Sequence, residues 1–181
     1  MTRVLAELVR GDSLDDDLLQ SGSVIERTAV RGVICRDRDV LLLFSAINGD
    51  YKFPGGGVEP AETQFAALRR EISEECGARV AALGAVFGDI IEYAPAQEDD
   101  VDVFRMVSRY VVCAVADGFG EKRLDDYERD LELRPVWVDI DKAIATNEAV
   151  LRAGTAIPRW LGRETLALRL VRAELIDNQP N

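Results

Sequence analysis

Residues 56–78 read GGVEPAETQFAALRREISEECGA, and their spacing constrains this chain more than any other stretch. Glu62, Glu71, Glu74 and Glu75 stand at fixed intervals from Gly56, Arg70 and Gly77. Pro54-Gly55-Gly56-Gly57 neither extends a strand nor opens a helix, so it forms a loop whose backbone can approach a ligand closely. Thr63 suits an N-cap and Gly77 a C′ position, which predicts a helix of about three and a half turns between them. At ~100° per residue, Phe65, Leu68, Ile72 and Cys76 share the arc expected to enter a core. Glu71, Glu74 and Glu75 share an adjoining arc. Like charges three and four residues apart destabilise a helix by roughly a few tenths of a kcal/mol each. A hard divalent cation turns that repulsion into coordination, since Mg²⁺ takes carboxylate, water and phosphate oxygens. A glutamate-rich helix face alone is ordinarily a solvated surface; the glycine loop and the full spacing set this one apart.

Written as G-x5-E-x7-R-E-(apolar)-x-E-E-x-G-(apolar), the pattern resembles the signature of the Nudix hydrolases. Seven positions each demand one residue type, and an accidental match in a chain this long has odds on the order of 10⁻⁶. The last position departs from the usual Ile, Leu or Val: it is Ala78, a difference of packing. The wider likeness takes in residues 51–57 and 137–143 and spans about 27–145, within what reads as a single domain over 1–181.

The resemblance implies an α/β (α+β) fold, a Nudix-like α/β/α sandwich with a mixed sheet. It implies Mg²⁺-dependent hydrolysis, with Mn²⁺ as a substitute, of a pyrophosphate bond in a nucleoside diphosphate linked to another group. Carried over by position, Glu71, Glu74 and Glu75 match metal ligands, and Gly55 matches the residue whose carbonyl completes the coordination. Arg70 orients a glutamate by ion pairing, with Glu62 as its partner. In several relatives another acidic residue before the last strand serves as base or extra ligand, and Glu128 is the candidate among Glu121, Asp125, Asp126, Glu128, Asp130 and Glu132. Lys52, Gly56 and Gly57 are candidates for substrate contact; Arg31, Arg105 and Arg109 could also meet phosphates or a base. Tyr93 and Pro95 fall near markers of two different substrate subfamilies and cancel. The partner expected is a small nucleotide, and a homodimer is compatible with the family. The alternative is a non-catalytic nucleotide-sensing domain, which the intact carboxylates and the lack of a fused DNA-binding segment disfavour.

Composition removes other chemistries. The 181 residues contain no histidine, which excludes Ser-His-Asp and Cys-His nucleophile systems, H-E-x-x-H zinc sites and imidazole bases. It also counts against isopentenyl-diphosphate isomerase, whose pattern needs histidine ligands. Acid–base work must fall to carboxylates, Lys, Tyr, Cys or metal-bound water. A net charge of −11 argues against long nucleic acid, an RNA 5′ end included, and against an anionic membrane. It also means that an anionic substrate meets a repulsive field unless cations intervene. No apolar run reaches membrane-spanning length, and Cys35, Cys76 and Cys113 read as reduced, mostly buried thiols, so a cytoplasmic protein is expected.

Along the chain, residues 4–9 are a short apolar stretch and 11–17 an acidic, solvated turn. Residues 27–35, 39–46, 51–53, 79–93, 103–116 and 134–138 read as strands. Asp139 or Asp141 caps a helix through Leu151, Pro158 opens a last amphipathic helix ending near Ile176, and 178–181 form a polar tail. Strands and helices in this order suit a mixed sheet between helical layers.

Overall fold

The computed structural model describes residues 2–11 and 13–178; Asp12 of the expected acidic turn and residues 179–181 of the expected tail lie outside the described residues. The strands are β1 (Val4–Val9), β2 (Val24–Val33), β3 (Cys35–Arg36), β4 (Asp39–Ser45), β5 (Asp50–Lys52), β6 (Val80–Pro95), β7 (Val103–Val115) and β8 (Leu133–Asp139). The helices are α1 (Asp16–Ser21), α2 (Gln64–Cys76), α3 (Asp126–Asp130), α4 (Ile140–Ala153) and α5 (Leu161–Val171), the last running on through a π-helical turn, Arg172–Ile176.

Four strands form the expected mixed sheet in the order β1-β6-β7-β2. The two long central strands β6 and β7 pair antiparallel, while β1 joins β6 and β2 joins β7 in parallel. A second, antiparallel sheet is built on β4, which pairs with β3, β5 and β8. The glycine loop links the two. Gly32 N–H donates to the Pro54 carbonyl (2.8 Å), Val30 N–H to that of Gly56 (2.9 Å), and Val58 N–H to that of Thr28 (2.9 Å). The loop is therefore laid along the β2 edge.

Alternation along β2 and β7 gives the layers. Val30 and Val111 face α2 and pack with Leu41, Leu68 and Ile72. Val33 and Tyr110, on the other face, pack with Ile90, Ile144 and Leu168 under α4 and α5. This is helix, sheet, helix, with a core on each side. Burying each of these large apolar side chains contributes roughly 1.5–3 kcal/mol.

α2 forms where its caps require. The Thr63 hydroxyl accepts from Ala66 N–H (3.2 Å), and Gly77 takes φ 65° with its N–H on the Ile72 and Ser73 carbonyls. Its face differs from the expectation in one residue. Burial begins at Ala67, one turn in, so Phe65 stays 44% exposed although it lies on the same side as Leu68. The apolar stretch 4–9 forms a strand, and two further readings are corrected. The acidic turn runs into α1, which Asp15 caps by accepting from Leu18 N–H at 2.9 Å. The last helix starts at Leu161, not Pro158, whose carbonyl instead accepts from Leu161 N–H at 3.0 Å. Among the described residues no helix is long and apolar enough to cross a membrane.

Candidate active site

Three glutamates converge where α2, the glycine loop and α3 meet. One carboxylate oxygen each of Glu71, Glu75 and Glu128 lie within 4.8 Å of one another. The helical wheel explains the first two: counted from Leu68, Glu75 sits at about −20° and Glu71 at about −60°, inside the buried arc, whereas Glu74 at about −120° lies beyond it. The glutamates of the expected adjoining arc thus divide. Glu75 is 1% exposed, Glu71 half-buried, and Glu74 faces outward and pairs with Arg70 (3.2 Å).

Each member is held in place. Glu75 accepts the Gly55 N–H on one oxygen (2.5 Å) and the Lys52 ammonium on the other (3.2 Å). Burial raises its carboxyl to about 8, opposed by Lys52 and the Gly55 N–H. Burial also raises the Glu71 carboxyl, against the pull of Arg70. Glu128 belongs to a capping box on α3: its carboxylate accepts the Asp125 N–H (3.0 Å), and its own N–H donates to Asp125 (2.7 Å).

Arg70 ties the surroundings together. It donates to Glu62 (2.7 Å), Glu71 (2.8 Å), Glu74 (3.2 Å) and the Gly57 carbonyl (3.2 Å), and this company raises its own pKa further. The glycines are dictated by space. At Gly56 a Cβ would run into the Glu71 carboxylate. Gly55 takes φ 134°, and a Cβ there would run into the Val30 carbonyl oxygen. The Gly55 carbonyl accepts from Arg31 in this structure.

The sequence candidates thus separate by position. Gly55, Gly56, Lys52, Arg70, Glu71, Glu75 and Glu128 are brought together, Glu74 and Gly57 stand at the rim on Arg70, and Arg105 and Arg109 are engaged elsewhere. Arg105 pairs with Glu26, and Arg109 makes a two-pronged pair with Asp89 (2.7 and 2.8 Å) plus a bond to Gln64. The three thiols are free, and burial raises all of them, Cys35 to about 11 and Cys113 to about 12. None is a poised nucleophile. Sequence reading missed the arginines opposite the loop, because Arg10 and Arg163 lie at the two ends of the chain with no local motif to mark them.

The donor set fits a hard divalent cation. Three converging carboxylates are oxygen ligands such an ion takes, and Gly56 leaves free the space beside Glu71 that any side chain would fill.

Residues 26–160 match the model of the NUDIX domain. The chain belongs to that family. Over 51 residues it is 49% identical to the putative 8-oxo-dGTP diphosphatase YtkD of Bacillus subtilis (strain 168), a stretch covering 28% of this chain and 32% of that protein. The chain thus spans about a third of the length of the curated relative it matches. Two solved structures share the fold: a MutT NUDIX hydrolase from Burkholderia pseudomallei and a NUDIX hydrolase from Nitrosomonas europaea, both 20% identical with TM-score 0.50. The first likeness covers 65% of this chain and 85% of that one, the second 75% and 94%.

Proposed function

We propose that this chain is a Nudix-type pyrophosphohydrolase that uses Mg²⁺ to cleave a phosphoanhydride bond in a small nucleotide. The observation that carries the reading is the convergence of the Glu71, Glu75 and Glu128 carboxylates against a glycine loop, in a chain that matches the NUDIX domain. Glu71, Glu75 and Glu128 would hold the cation, Glu74 would add a ligand from the rim, and the Gly55 carbonyl would join if Arg31 let it go. Bound there, the cation neutralises phosphate charge and makes water a better nucleophile.

The chain's own residues supply the rest. Arg70 holds Glu71 in orientation and keeps the Gly57 carbonyl and Glu62 in register. Glu71 or Glu128 takes the proton of the attacking water, since no imidazole exists to do so. Lys52 balances Glu75 and would meet a phosphate oxygen of the bound substrate. Gly56 and Gly57 bring backbone, unobstructed, to the same place.

The relative named as a putative 8-oxo-dGTP diphosphatase supports including purine nucleoside triphosphates among the substrates tried. The acidic composition and three free thiols suit a cytoplasmic enzyme. The test is a panel of nucleoside triphosphates, nucleotide sugars, ADP-ribose and dinucleoside polyphosphates with and without Mg²⁺, read by chromatographic separation of the nucleotide products. Cleavage of at least one class, abolished by chelation, is expected. No Mg²⁺-dependent cleavage of any of them would sink the proposal.

A further inference from the structure

On the α5 face of the mixed sheet lies a cavity of about 270 Å³, lined in part by Arg31. Arg31 also donates to the Gly55 carbonyl, and Gly55 N–H binds Glu75, so one residue separates the cavity from the carboxylates. Its volume falls just below the range that houses drug-sized ligands, about 300–1,000 Å³, which suits one ring system and no more.

The walls are apolar and flat. Phe104 and Met106 of β7 form the floor side, and Trp160 enters from the connection before α5. Trp160 is fixed by its indole N–H, which donates to Asp50 at 2.7 Å. The polar edge is different in kind: it carries Arg10, Arg31, Arg159 and Arg163, with Glu92 the one acid among the described residues. Glu92 is already engaged on both oxygens, one by Arg10 and the other by Arg163. Arg31 Nε is buried with no hydrogen-bond partner among the described residues. Guanidinium groups donate and never accept. In a chain of net charge −11, this edge is a local excess of cationic donors facing an apolar slot.

We infer that this cavity takes the base of the substrate and selects a 6-oxopurine. The inference rests on the proposed nucleotide-cleaving function and names the substrate class of that site. Guanine and hypoxanthine present O6 and N7 as two adjacent acceptors, which an arginine fork matches. Adenine puts an N6 amino donor where O6 would be, and that donor would face another donor. Uracil alternates acceptor, donor and acceptor along its edge, so it offers the fork no adjacent pair of acceptors. The flat faces of the slot fit the ring whatever its edge, so the arginines carry the discrimination and the aromatic and thioether walls carry general affinity.

Calorimetric titration of the full chain with GMP, IMP, AMP and UMP tests this without any reaction. GMP and IMP should bind at least ten-fold more tightly than AMP and UMP. Arg159→Ala, at an exposed position, and Arg10→Ala should each narrow that ratio. Glu75→Gln should leave it intact. Equal affinity for GMP and AMP, no binding of any nucleotide, or an unchanged ratio in both arginine variants would overturn the inference. So would inorganic pyrophosphate whose binding weakens on Arg159→Ala as much as that of GMP, since the arginines would then be holding phosphate. Selective GMP binding by a chain that cleaves nothing would defeat the hydrolytic reading and leave this one. Mg²⁺-dependent cleavage with no base preference would do the reverse.

Discussion

The Lys52 ammonium stands 3.2 Å from one oxygen of Glu75, whose other oxygen takes the Gly55 N–H at 2.5 Å. A carboxylate that is 1% exposed is thereby given one positive charge and one dipole, and burial still raises its carboxyl to about 8. A divalent cation offers the remaining compensation, and the first prediction concerns that exchange.

Because the folded value lies above the ordinary 4.5, the folded protein without cation binds the proton more tightly than the unfolded chain does. Its stability should therefore fall as pH rises through the window from 4.5 to about 8, and be flat in this group's contribution above it. Cation binding must expel that proton, so apparent Mg²⁺ affinity should rise by up to about tenfold per pH unit through the upper part of that window and then level off. Titration calorimetry in buffers of different ionisation enthalpy should show about one proton released near pH 7. Glu75→Gln should abolish the pH slope. An affinity independent of pH would contradict the assignment.

Glu75→Gln should also lower turnover by roughly 10²–10³ or more while the protein remains folded, since a charged ligand is lost from the developing phosphoryl charge. For the base, kcat should climb toward an optimum above about pH 8. Glu71→Gln and Glu128→Gln measured across pH should differ: the variant that loses the slope identifies the proton acceptor. An optimum near pH 6 in the unaltered protein would rule out this account of water activation.

The two adjacent glycines should fail in different ways. Gly56→Val pushes a side chain into the Glu71 carboxylate, which must swing aside, so activity should drop far more than melting temperature. Gly55→Ala meets the Val30 backbone at φ 134°, and should cost about 1–3 kcal/mol of stability or more. Thermal melts paired with turnover distinguish them. Equal loss of both properties in Gly56→Val would make it a purely structural turn.

Arg70→Lys keeps the charge and removes the fork that spans Glu62, Glu71 and Glu74. Orienting partners of metal ligands are worth about 10–100-fold in affinity or activity, and a loss in that range is expected in both Mg²⁺ affinity and kcat. Unaltered Mg²⁺ affinity would show that Arg70 does not position Glu71.

Glu164 carries no chemistry in this account, yet it is 0% exposed and accepts from Phe53 N–H (2.8 Å) and twice from Arg163 (2.9 and 3.0 Å). Glu164→Ala would strand a buried guanidinium and a backbone donor, at a cost of about 3–5 kcal/mol. Chemical denaturation should register the loss. A change below 1 kcal/mol, on the order of a surface ion pair, would mean that Glu92 alone suffices for Arg163.

Local chemistry made much of this readable before any coordinates. Thr63 and Gly77 bound α2 because capping is settled within four residues, and Asp139 caps α4 for the same reason, its carboxylate taking the Asp141 and Lys142 N–H groups. What escaped depends on distance along the chain. β1 has no fully buried residue, and its partner β6 lies some eighty positions away, so neither pattern nor turn announces the parallel pairing. Periodicity placed Phe65 in the core because it sees angle and not depth, and α2 is covered only from Ala67 onward. The same blindness merged Glu74 with Glu71 and Glu75, which the sheet beneath the helix separates. Glu128 could be singled out from an acidic run, but the capping box that aims it is a property of the folded α3.

The hydrogen bonds that β2 makes to Pro54, Gly56 and Val58 have a consequence for solubility. An outer strand offers its unpaired amides and carbonyls to any neighbouring molecule, and proteins commonly cover or charge such an edge to prevent stacking between copies. Here the loop that shapes the site is also the cover over the middle of β2. A substitution that lifts it away, Gly55→Ala above all, uncovers strand as well as dismantling a ligand cradle. Such a protein should lose part of its yield to the pellet, leaving a soluble fraction for the melt and turnover measurements.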